Sequence, residues 1–270
     1  GLGLIGGSMC KALIKSGHIV VGMDADKTTE DYAKLAGIID DKLTDERVGK
    51  CDYIFIALYP QATVDYLRAH ASQIKPGAVV MDLCGVKRAV CAPCFELAKQ
   101  YGFNYIGGHP MAGSERTGYA CSKASLLENA YYVITPTSKT TKDQLDTMIQ
   151  FAADQAAIPL VLDYKNHDYA VAAISHVPHV IASSLVNLVA QSDFPDGTMK
   201  KIAAGGFKDI TRIASSSPVM WEQILFTNKD NIISLLENYK KAIDQTITDL
   251  KTDNHKDIYD IFEQSGTYRS

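Results

Sequence analysis

Three stretches of the chain place histidine or arginine side chains in unusual surroundings. His109 lies in IGGHPMAGSE, His176 and His179 lie in SHVPH, and Arg212 lies in GGFKDITRIASSSPVMW. A neutral imidazole can take a proton from a hydroxyl group. The planar guanidinium of arginine suits a carboxylate, which it binds through two hydrogen bonds. These residue types indicate proton transfer on a ligand that carries a carboxylate.

Each stretch also has an ordinary structural interpretation, which the spacing leaves open. His109 could be a loop histidine with a satisfied hydrogen bond, and Ser114 could cap a helix that has Glu115 in its first turn. Arg212 could pair with Asp209 at the surface, or it could be half sequestered by apolar neighbours. Gly107 and Gly108 next to His109 would let the backbone come close to a cofactor and a substrate.

His176 and His179 are three residues apart, so they face the same way if the segment is helical. Pro178 lies between them and should kink or start a helix. A ligand contact, a structural role and a metal pair are all compatible with this spacing. No third ligand of matching spacing is evident, so the sequence predicts no metal site.

The chain begins with the glycine pattern G-x-G-x-x-G, formed by Gly1, Gly3 and Gly6. The first glycine permits a tight turn, the second lets the backbone approach a pyrophosphate, and the third permits close packing of helix on strand. The following helix would offer its N-terminal N–H groups to the phosphates. Asp24 follows about 20 residues later, where a carboxylate binds the ribose 2′-hydroxyl. Because Asp24 would repel a 2′-phosphate, the pattern favours NAD over NADP.

A strand normally precedes this glycine pattern in the middle of the sheet. We therefore expect a further strand on the N-terminal side of Gly1. The alternative is a glycine turn that binds no ligand.

The first part of the chain alternates short apolar, β-branched runs with helical patterns. Strands are predicted at residues 19–24, 53–58, 78–83, 103–107, 131–136 and 159–163. Alternation of this kind predicts an α/β Rossmann-type domain with a mainly parallel, doubly wound sheet. Helical patterns alone follow, including residues 165–190 and 229–251. We place the domain boundary between residues 163 and 164, with an all-α substrate and dimerisation domain at residues 164–270, because a short apolar helical unit often completes its core by dimerising.

The composition is that of an ordinary globular protein, with 46% hydrophobic and 21% charged residues. The net charge of -4 provides no basic face for nucleic acid. Inspection finds no apolar run of the ~18–20 residues that span a bilayer, and no signal peptide. The six cysteines include the pair Cys91 and Cys94. That pair could be redox-active or half of a zinc site, but reduced thiols in a cytoplasmic protein are the simpler interpretation.

Taken together and in order, five motifs resemble the prephenate/arogenate dehydrogenases of tyrosine biosynthesis, nearest to the monofunctional prephenate dehydrogenases. The motifs are GLGLIGGS with Asp24, DLCGVK (82–87), GGHPMAGSERTG (107–118), SHVPH (175–179) and GGFKDITRIASSSPVMW (205–221). The resemblance covers essentially the whole chain. It implies NAD-dependent oxidative decarboxylation of prephenate to 4-hydroxyphenylpyruvate in a cytoplasmic homodimer.

The resemblance also implies roles for individual residues. His109 would polarise or deprotonate the 4-hydroxyl of the substrate, and Arg212 would bind a substrate carboxylate. The remaining substrate-site residues implied are His176, His179, Ser114, Glu115 and Trp221. The cofactor-site residues are Gly1, Gly3, Leu4, Ile5, Gly6, Asp24, Leu58 and Gly85.

Gly85 departs from the family pattern, because a serine is usual at this position and commonly bonds the catalytic histidine. We expect water, the cofactor or another group to orient His109 instead. Three alternatives remain: arogenate as the substrate, a β-hydroxy-acid dehydrogenase of similar plan, and a non-catalytic NAD-binding regulator. The β-hydroxy-acid enzymes usually carry a catalytic lysine on the helix where this chain has SHVPH.

Overall fold

The computed structural model describes residues 1–113 and 118–270, in which strands and helices alternate up to residue 161 and helices follow. The strands are β1 (Val21–Gly22), β2 (Asp41–Lys42), β3 (Tyr53–Ile56), β4 (Val79–Asp82), β5 (Asn104–Pro110), β6 (Tyr131–Thr135) and β7 (Ile158–Val161). The helices of the first part are α1 (Leu4–Lys15), α2 (Lys27–Leu35), α3 (Asp45–Val48), α4 (Pro60–His70), α5 (Arg88–Tyr101) and α6 (Lys142–Asp154). The later helices are α7 (Tyr164–Val171), α8 (Val177–Ser192), α9 (Thr198–Ile202), α10 (Gly205–Thr211), α11 (Pro218–Thr227), α12 (Lys229–Lys251) and α13 (His255–Arg269).

Strands β3 to β7 form one sheet in the order of the sequence. β3, β4 and β5 are parallel, β6 runs antiparallel to β5, and β7 is parallel to β6. β1 and β2 form a separate parallel pair. The predicted fold class, a mainly parallel sheet with helices followed by a helical part, is therefore confirmed.

Helices cover both faces of the larger sheet, as the packing of successive side chains on β4 shows. On β4, Val80 packs into one apolar cluster with the buried residues of α4 and α5. The next residue, Met81, packs into a second cluster with Met9 of α1 and Met148 of α6. Because successive side chains of a strand point to opposite faces, this division places the two helix layers on opposite sides of the sheet.

Gly1 and Leu2 lie between the ends of β1 and β3. A Cβ atom on Gly1 would lie 2.4 Å from the carbonyl oxygen of Ala57, just beyond β3. The N–H of Leu2 donates to Asp24 Oδ2 beyond β1, at 2.6 Å. The glycine loop is therefore held between these two strand ends. The expectation of a further strand before Gly1 stays a prediction.

The helical part begins with a bent stretch at α7 and α8. A π-helical turn, Ala172–His176, joins the two helices, and α8 has a proline in its first turn. Pro178 has no N–H group to donate to the preceding turn, which accounts for the irregular turn just before it. The prediction that Pro178 kinks or starts a helix is confirmed.

The stretch Tyr164–Ser192 is long and apolar enough to pass for a membrane span by length and composition, with a mean hydropathy of 1.4. This differs from the inspection of the sequence, which found no such run. Yet the stretch carries His167, Asp168 and His176 as buried polar side chains. These groups form hydrogen bonds with Lys87, His109 and Asn228 in other parts of the chain.

The helical part leaves many large apolar side chains exposed. Phe226 is 70% exposed, Ile202 73% and Phe262 73%. Surface of this kind indicates contact with another chain.

Candidate active site

The glycine loop fits the pyrophosphate of a dinucleotide. A Cβ atom on Gly6 would lie 1.9 Å from the carbonyl oxygen of Gly1, so the turn requires glycine there. By contrast, a Cβ atom on Gly3 would meet nothing within 4 Å. Gly3 precedes α1, and no side chain caps this helix. The N–H groups of its first turn, at Leu4 and Ile5, therefore have no capping side chain and can bind phosphate.

Asp24 lies next to the glycine loop, to which it is bonded through Leu2. Its carboxylate accepts hydrogen bonds from the N–H of Leu2 and, at 3.0 Å, from the N–H of Asp26. The buried Glu30 accepts the N–H of Asp24 itself at 3.0 Å. The carboxylate of Asp24 is thus held beside the glycine loop, and Glu30 behind it is paired with Lys27 and Lys42.

The structure brings Leu58 to the same edge of the sheet, because it follows β3. A Cβ atom on Gly1 would lie 3.1 Å from Leu58 Cδ2. Gly85 follows the neighbouring strand β4. The carboxyl ends of parallel strands meet at one edge, so the predicted cofactor residues and the end of β5 lie along that edge.

His109 lies within β5, whereas the sequence placed it in a loop after a strand that ends at residue 107. The parallel partner β4 does end opposite Gly107. The antiparallel partner β6 continues, and it pairs His109 with Val133 and Pro110 with Tyr132. The backbone of His109 is therefore fixed by strand pairing, because β6 supplies the partners that β4 lacks.

Gly107 and Gly108 make room for the protein itself, which corrects the expectation that they make room for cofactor and substrate. A Cβ atom on Gly107 would lie 2.1 Å from Thr135 Oγ1. A Cβ atom on Gly108 would lie 2.7 Å from Met81 Sδ. Side chains of the neighbouring strands occupy the space that the glycines leave.

The imidazole of His109 bonds a second histidine, which the sequence analysis did not single out. His109 Nδ1 lies 2.8 Å from Nε2 of His167, and His167 Nδ1 lies 2.9 Å from Asp168 Oδ1. Asp163 caps α7 by accepting the N–H groups of Lys165 and Asn166, which positions His167 one turn into the helix. Burial, together with nearby positive charge, lowers the pKa of His109 well below its ordinary value. His109 is therefore neutral near pH 7, as a proton acceptor must be.

Asp168 joins the helical part to the first residues of α5. Its two carboxylate oxygens accept the backbone N–H groups of Lys87 and Arg88, each at 2.8 Å. Burial alone would raise the pKa of Asp168, but hydrogen bonds from His167, Arg88 and Lys87 lower it below its ordinary value. Asp168 therefore stays ionised at the N-terminus of a helix, where negative charge is favoured.

A buried ion pair lies under His109. Lys87 Nζ donates to Asp82 Oδ2 and to the carbonyl oxygen of Gly108, and both side chains are fully buried. Tyr105 donates its hydroxyl to the other oxygen of Asp82. Burial opposes the charge on Lys87, but attraction to Asp82 outweighs it and raises the pKa of the lysine. Lys87 thus holds the peptide group just before His109.

Gly85 faces the other side of the same imidazole. A Cβ atom on Gly85 would lie 3.6 Å from His109 Nε2 and 3.8 Å from Cε1, which is ordinary contact. Space for the expected serine side chain is therefore present. His167 bonds the other nitrogen of the His109 ring, Nδ1.

His176, His179 and Trp221 form one aromatic group. The ring of His179 stacks on Trp221 with centroids 3.8 Å apart, and His176 meets the same indole edge-on. His179 Nδ1 donates to the carbonyl oxygen of Ser175 at 2.8 Å, so Nε2 is available to a ligand. His176 is buried, and burial lowers its pKa to about 4. The buried side chain of Asn228 contacts His176 Nδ1 and donates to the carbonyl oxygen of Asp168, which connects this group to the His109 side.

The remaining substrate-site predictions have different outcomes. Arg212 starts a short 3₁₀ turn, Arg212–Ser215, and is exposed. Of the two surroundings that the sequence left open, half sequestration by apolar neighbours is therefore wrong. Ser114 and Glu115 lie outside the described residues, so their roles stay predictions.

The surroundings of Cys91 and Cys94 favour the protonated thiol. Both are buried in α5 and free, and burial raises the pKa of each to about 12. Such thiols stay protonated and unreactive.

A dinucleotide loop on one domain, a neutral histidine at the ligand edge of the sheet and a second, helical domain define a two-domain, dinucleotide-dependent oxidoreductase. Two family models match most of the chain: "Prephenate dehydrogenase, nucleotide-binding domain" at residues 9–159, and "Prephenate dehydrogenase, dimerization domain" at residues 163–264. The chain belongs to the prephenate dehydrogenase family.

Curated and solved relatives agree with this assignment. The prephenate dehydrogenase of Bacillus subtilis is 34% identical, and the alignment covers 100% of this chain and 74% of the relative. The prephenate dehydrogenase of Aquifex aeolicus in complex with hydroxyphenyl propionate and NAD+ superposes with a TM-score of 0.87 at 28% identity, covering 100% of this chain and 95% of that one. The arogenate dehydrogenase of Synechocystis superposes with a TM-score of 0.87 at 27% identity, with 100% and 96% coverage. Membership gives this chain a nucleotide-binding domain for NAD and a dimerization domain.

Proposed function

We propose that the chain catalyses the NAD-dependent oxidative decarboxylation of prephenate to 4-hydroxyphenylpyruvate, a step of tyrosine biosynthesis. The observation that carries the proposal is a neutral His109 at the ligand edge of the sheet, in a chain of this family. When bound, NAD accepts the hydride from C4 of the substrate ring. The ring carboxylate leaves as carbon dioxide, and the product ring is aromatic.

His109 would act as the general base in this reaction. Its pKa is lowered by burial, so the ring is ready to take the proton of the 4-hydroxyl at neutral pH. The buried Lys87 fixes the peptide group before it, and the pairing of β5 with β6 fixes its own backbone. The residues around His109 therefore hold it in place without needing to move during the reaction.

Substrate binding would involve the helical part of the molecule. We assign a substrate carboxylate to Arg212 and a hydrogen bond from the substrate to Nε2 of His179, with His176 and Trp221 supporting the ring of His179. The cofactor site would consist of the glycine loop with Gly1, Gly3 and Gly6, together with Leu4, Ile5, Asp24, Leu58 and Gly85. Ser114 and Glu115 would line the substrate side.

Arogenate is a second candidate substrate, because an arogenate dehydrogenase superposes on this chain as well as a prephenate dehydrogenase does. Prephenate and arogenate differ only by a keto or an amino group on the side chain. We favour prephenate because the curated relative with 34% identity bears that name. The apolar surface of the helical part would form a homodimer in the cytoplasm.

The test is a comparison of kcat/KM for prephenate and for arogenate, each with NAD and with NADP, followed at the absorbance band of reduced nicotinamide. We expect the highest value for prephenate with NAD, since the carboxylate of Asp24 would repel a 2′-phosphate. Absence of turnover with both substrates would contradict the proposal.

A further inference from the structure

We propose that His167 and Asp168 fix the tautomer and orientation of His109, so that Nε2 is the atom that takes the substrate proton. The proposal rests on the proposed function and adds two positioning residues to it. Neither of them touches the substrate in this account, since both act through His109.

The first observation is a continuous chain of hydrogen bonds that starts at the catalytic ring. His109 Nδ1 and His167 Nε2 are 2.8 Å apart, and His167 Nδ1 and Asp168 Oδ1 are 2.9 Å apart. His167 and Asp168 are each 1% exposed, so water does not compete for these bonds. The two imidazole rings meet edge-on at 70°.

The second observation is that Asp168 can only accept in this chain. Its oxygens already accept the backbone N–H groups of Lys87 and Arg88. An ionised carboxylate has no proton to donate. The shared proton between Asp168 and His167 therefore belongs to Nδ1 of His167.

The tautomers of both histidines follow from this starting point. A neutral imidazole has one N–H group, so His167 with a proton on Nδ1 has a bare Nε2 that accepts. His109 must then donate from Nδ1. Its own Nε2 is left without a proton, and this nitrogen faces Gly85 and the space beyond it.

This arrangement suits the chemistry of a general base. The O–H bond of the substrate hydroxyl breaks, the proton ends on His109 Nε2, and the proton on Nδ1 stays where it is. The ring then carries a positive charge, which its hydrogen bond to His167 and the charge of Asp168 stabilise. His167 thus supplies from Nδ1 the orientation that a serine at position 85 would supply from Nε2.

The direct test reads the protonation of each ring nitrogen in the wild-type protein. Long-range ¹⁵N–¹H correlation spectra of histidine-labelled protein would be recorded at about pH 8, above the ordinary histidine pKa of about 6.5. The signals of His109 are those that a His109→Asn sample lacks. We expect a proton on Nδ1 and none on Nε2. A proton on Nε2 of His109, as a doubly protonated His167 would require, overturns the proposal.

A matched pair of variants separates positioning from packing. His167→Leu removes the acceptor for His109 Nδ1, while His167→Gln keeps an oxygen near the same place, and both retain the hydrogen bonds from the start of α5 to Asp168. We expect kcat to fall by about tenfold or more in His167→Leu, with little change in KM, because general-base catalysis is worth about 10²–10⁴-fold. His167→Gln should recover most of that loss.

The outcomes distinguish this inference from the proposed function. Full kcat in His167→Leu, or equal losses in the two variants, overturns the positioning role even if prephenate is the substrate. The spectra need no substrate, so they decide the tautomer even if the chain does not turn over prephenate.

Discussion

Position 85 lies within reach of the imidazole of His109, and the chain has a glycine there. An added Cβ atom would lie 3.6 Å from Nε2, and the backbone at this position is open to any residue type. A serine hydroxyl could donate to the bare Nε2 in the free enzyme and leave it when substrate binds. The structure therefore has room for a serine side chain at position 85, although the residue there is glycine.

We predict that Gly85→Ser is tolerated. The value of kcat/KM should stay within about tenfold of the wild type, which corresponds to roughly 1.4 kcal/mol in the activation free energy. Steady-state kinetics with prephenate and NAD measure it. Gly85→Ala is the control, because it fills the same space without a hydroxyl. A loss greater than tenfold in the serine variant alone would show that a hydroxyl beside Nε2 impairs the base.

At the scale of elements, β5 and the start of α5 hold the site together. β6 extends β5 beyond the end of β4, which places the backbone of His109 in the sheet. Lys87 precedes α5. Its side chain donates hydrogen bonds to Asp82 and to the carbonyl oxygen of Gly108, and its backbone N–H group donates to Asp168. One residue thus connects two strands, a helix and the helical part.

We predict that Lys87→Met lowers the free energy of unfolding by about 3–5 kcal/mol, because it leaves Asp82 as an unpaired buried charge. Urea unfolding at neutral pH measures the loss as a shift of the midpoint. Lys99→Met on the same helix is the control, since Lys99 is exposed and should change stability by less than about 0.5 kcal/mol. Adding Asp82→Asn to Lys87→Met should recover part of the loss, and a double variant less stable than the single one would contradict the explanation.

At the scale of the whole molecule, buried neutral histidines make stability depend on pH. Burial lowers the pKa of His176 to about 4, while an unfolded histidine titrates near 6.5. The unfolded chain therefore binds the proton first as the pH falls. The contribution of His176 is fully present above about pH 6.5 and is lost as the pH falls towards 4.

We predict that acidification from about pH 7 to about pH 5 lowers the free energy of unfolding, with about 2 kcal/mol of the loss due to His176 at roughly 1.4 kcal/mol per pKa unit. Urea unfolding at the two pH values measures it. A His176→Gln variant should lose less over the same interval. An equal loss in both proteins would mean that His176 is not the group responsible.

Much of the fold could be predicted from sequence because its signals are local. The apolar runs at residues 53–58, 78–83 and 131–136 each contain an observed strand. β2, with only Asp41 and Lys42, is too short and too polar to be recognised. The length of β5 was underestimated because it depends on the register of β6, which only the folded sheet defines.

The motifs of the site could be predicted from the sequence, but the hydrogen bonds between its residues could not. His109, His179 and Trp221 stand in recognisable stretches. His167 stands in an ordinary helical pattern 58 residues from His109, and Asp168 stands 81 residues from the N–H group of Lys87 that it accepts. Contacts across such separations arise from the packing of one domain on another. The signal that could have indicated them is the lysine of DLCGVK, which the fold buries completely.

The role of His109 as the base that takes the proton of the substrate hydroxyl is tested by comparing wild type with His109→Asn in the oxidation of prephenate by NAD. Turnover and substrate binding would be measured separately, the latter by titration of each protein with prephenate. We predict a fall in kcat of about 10²–10⁴-fold with substrate affinity largely kept. Turnover in the variant equal to that of the wild type would contradict it.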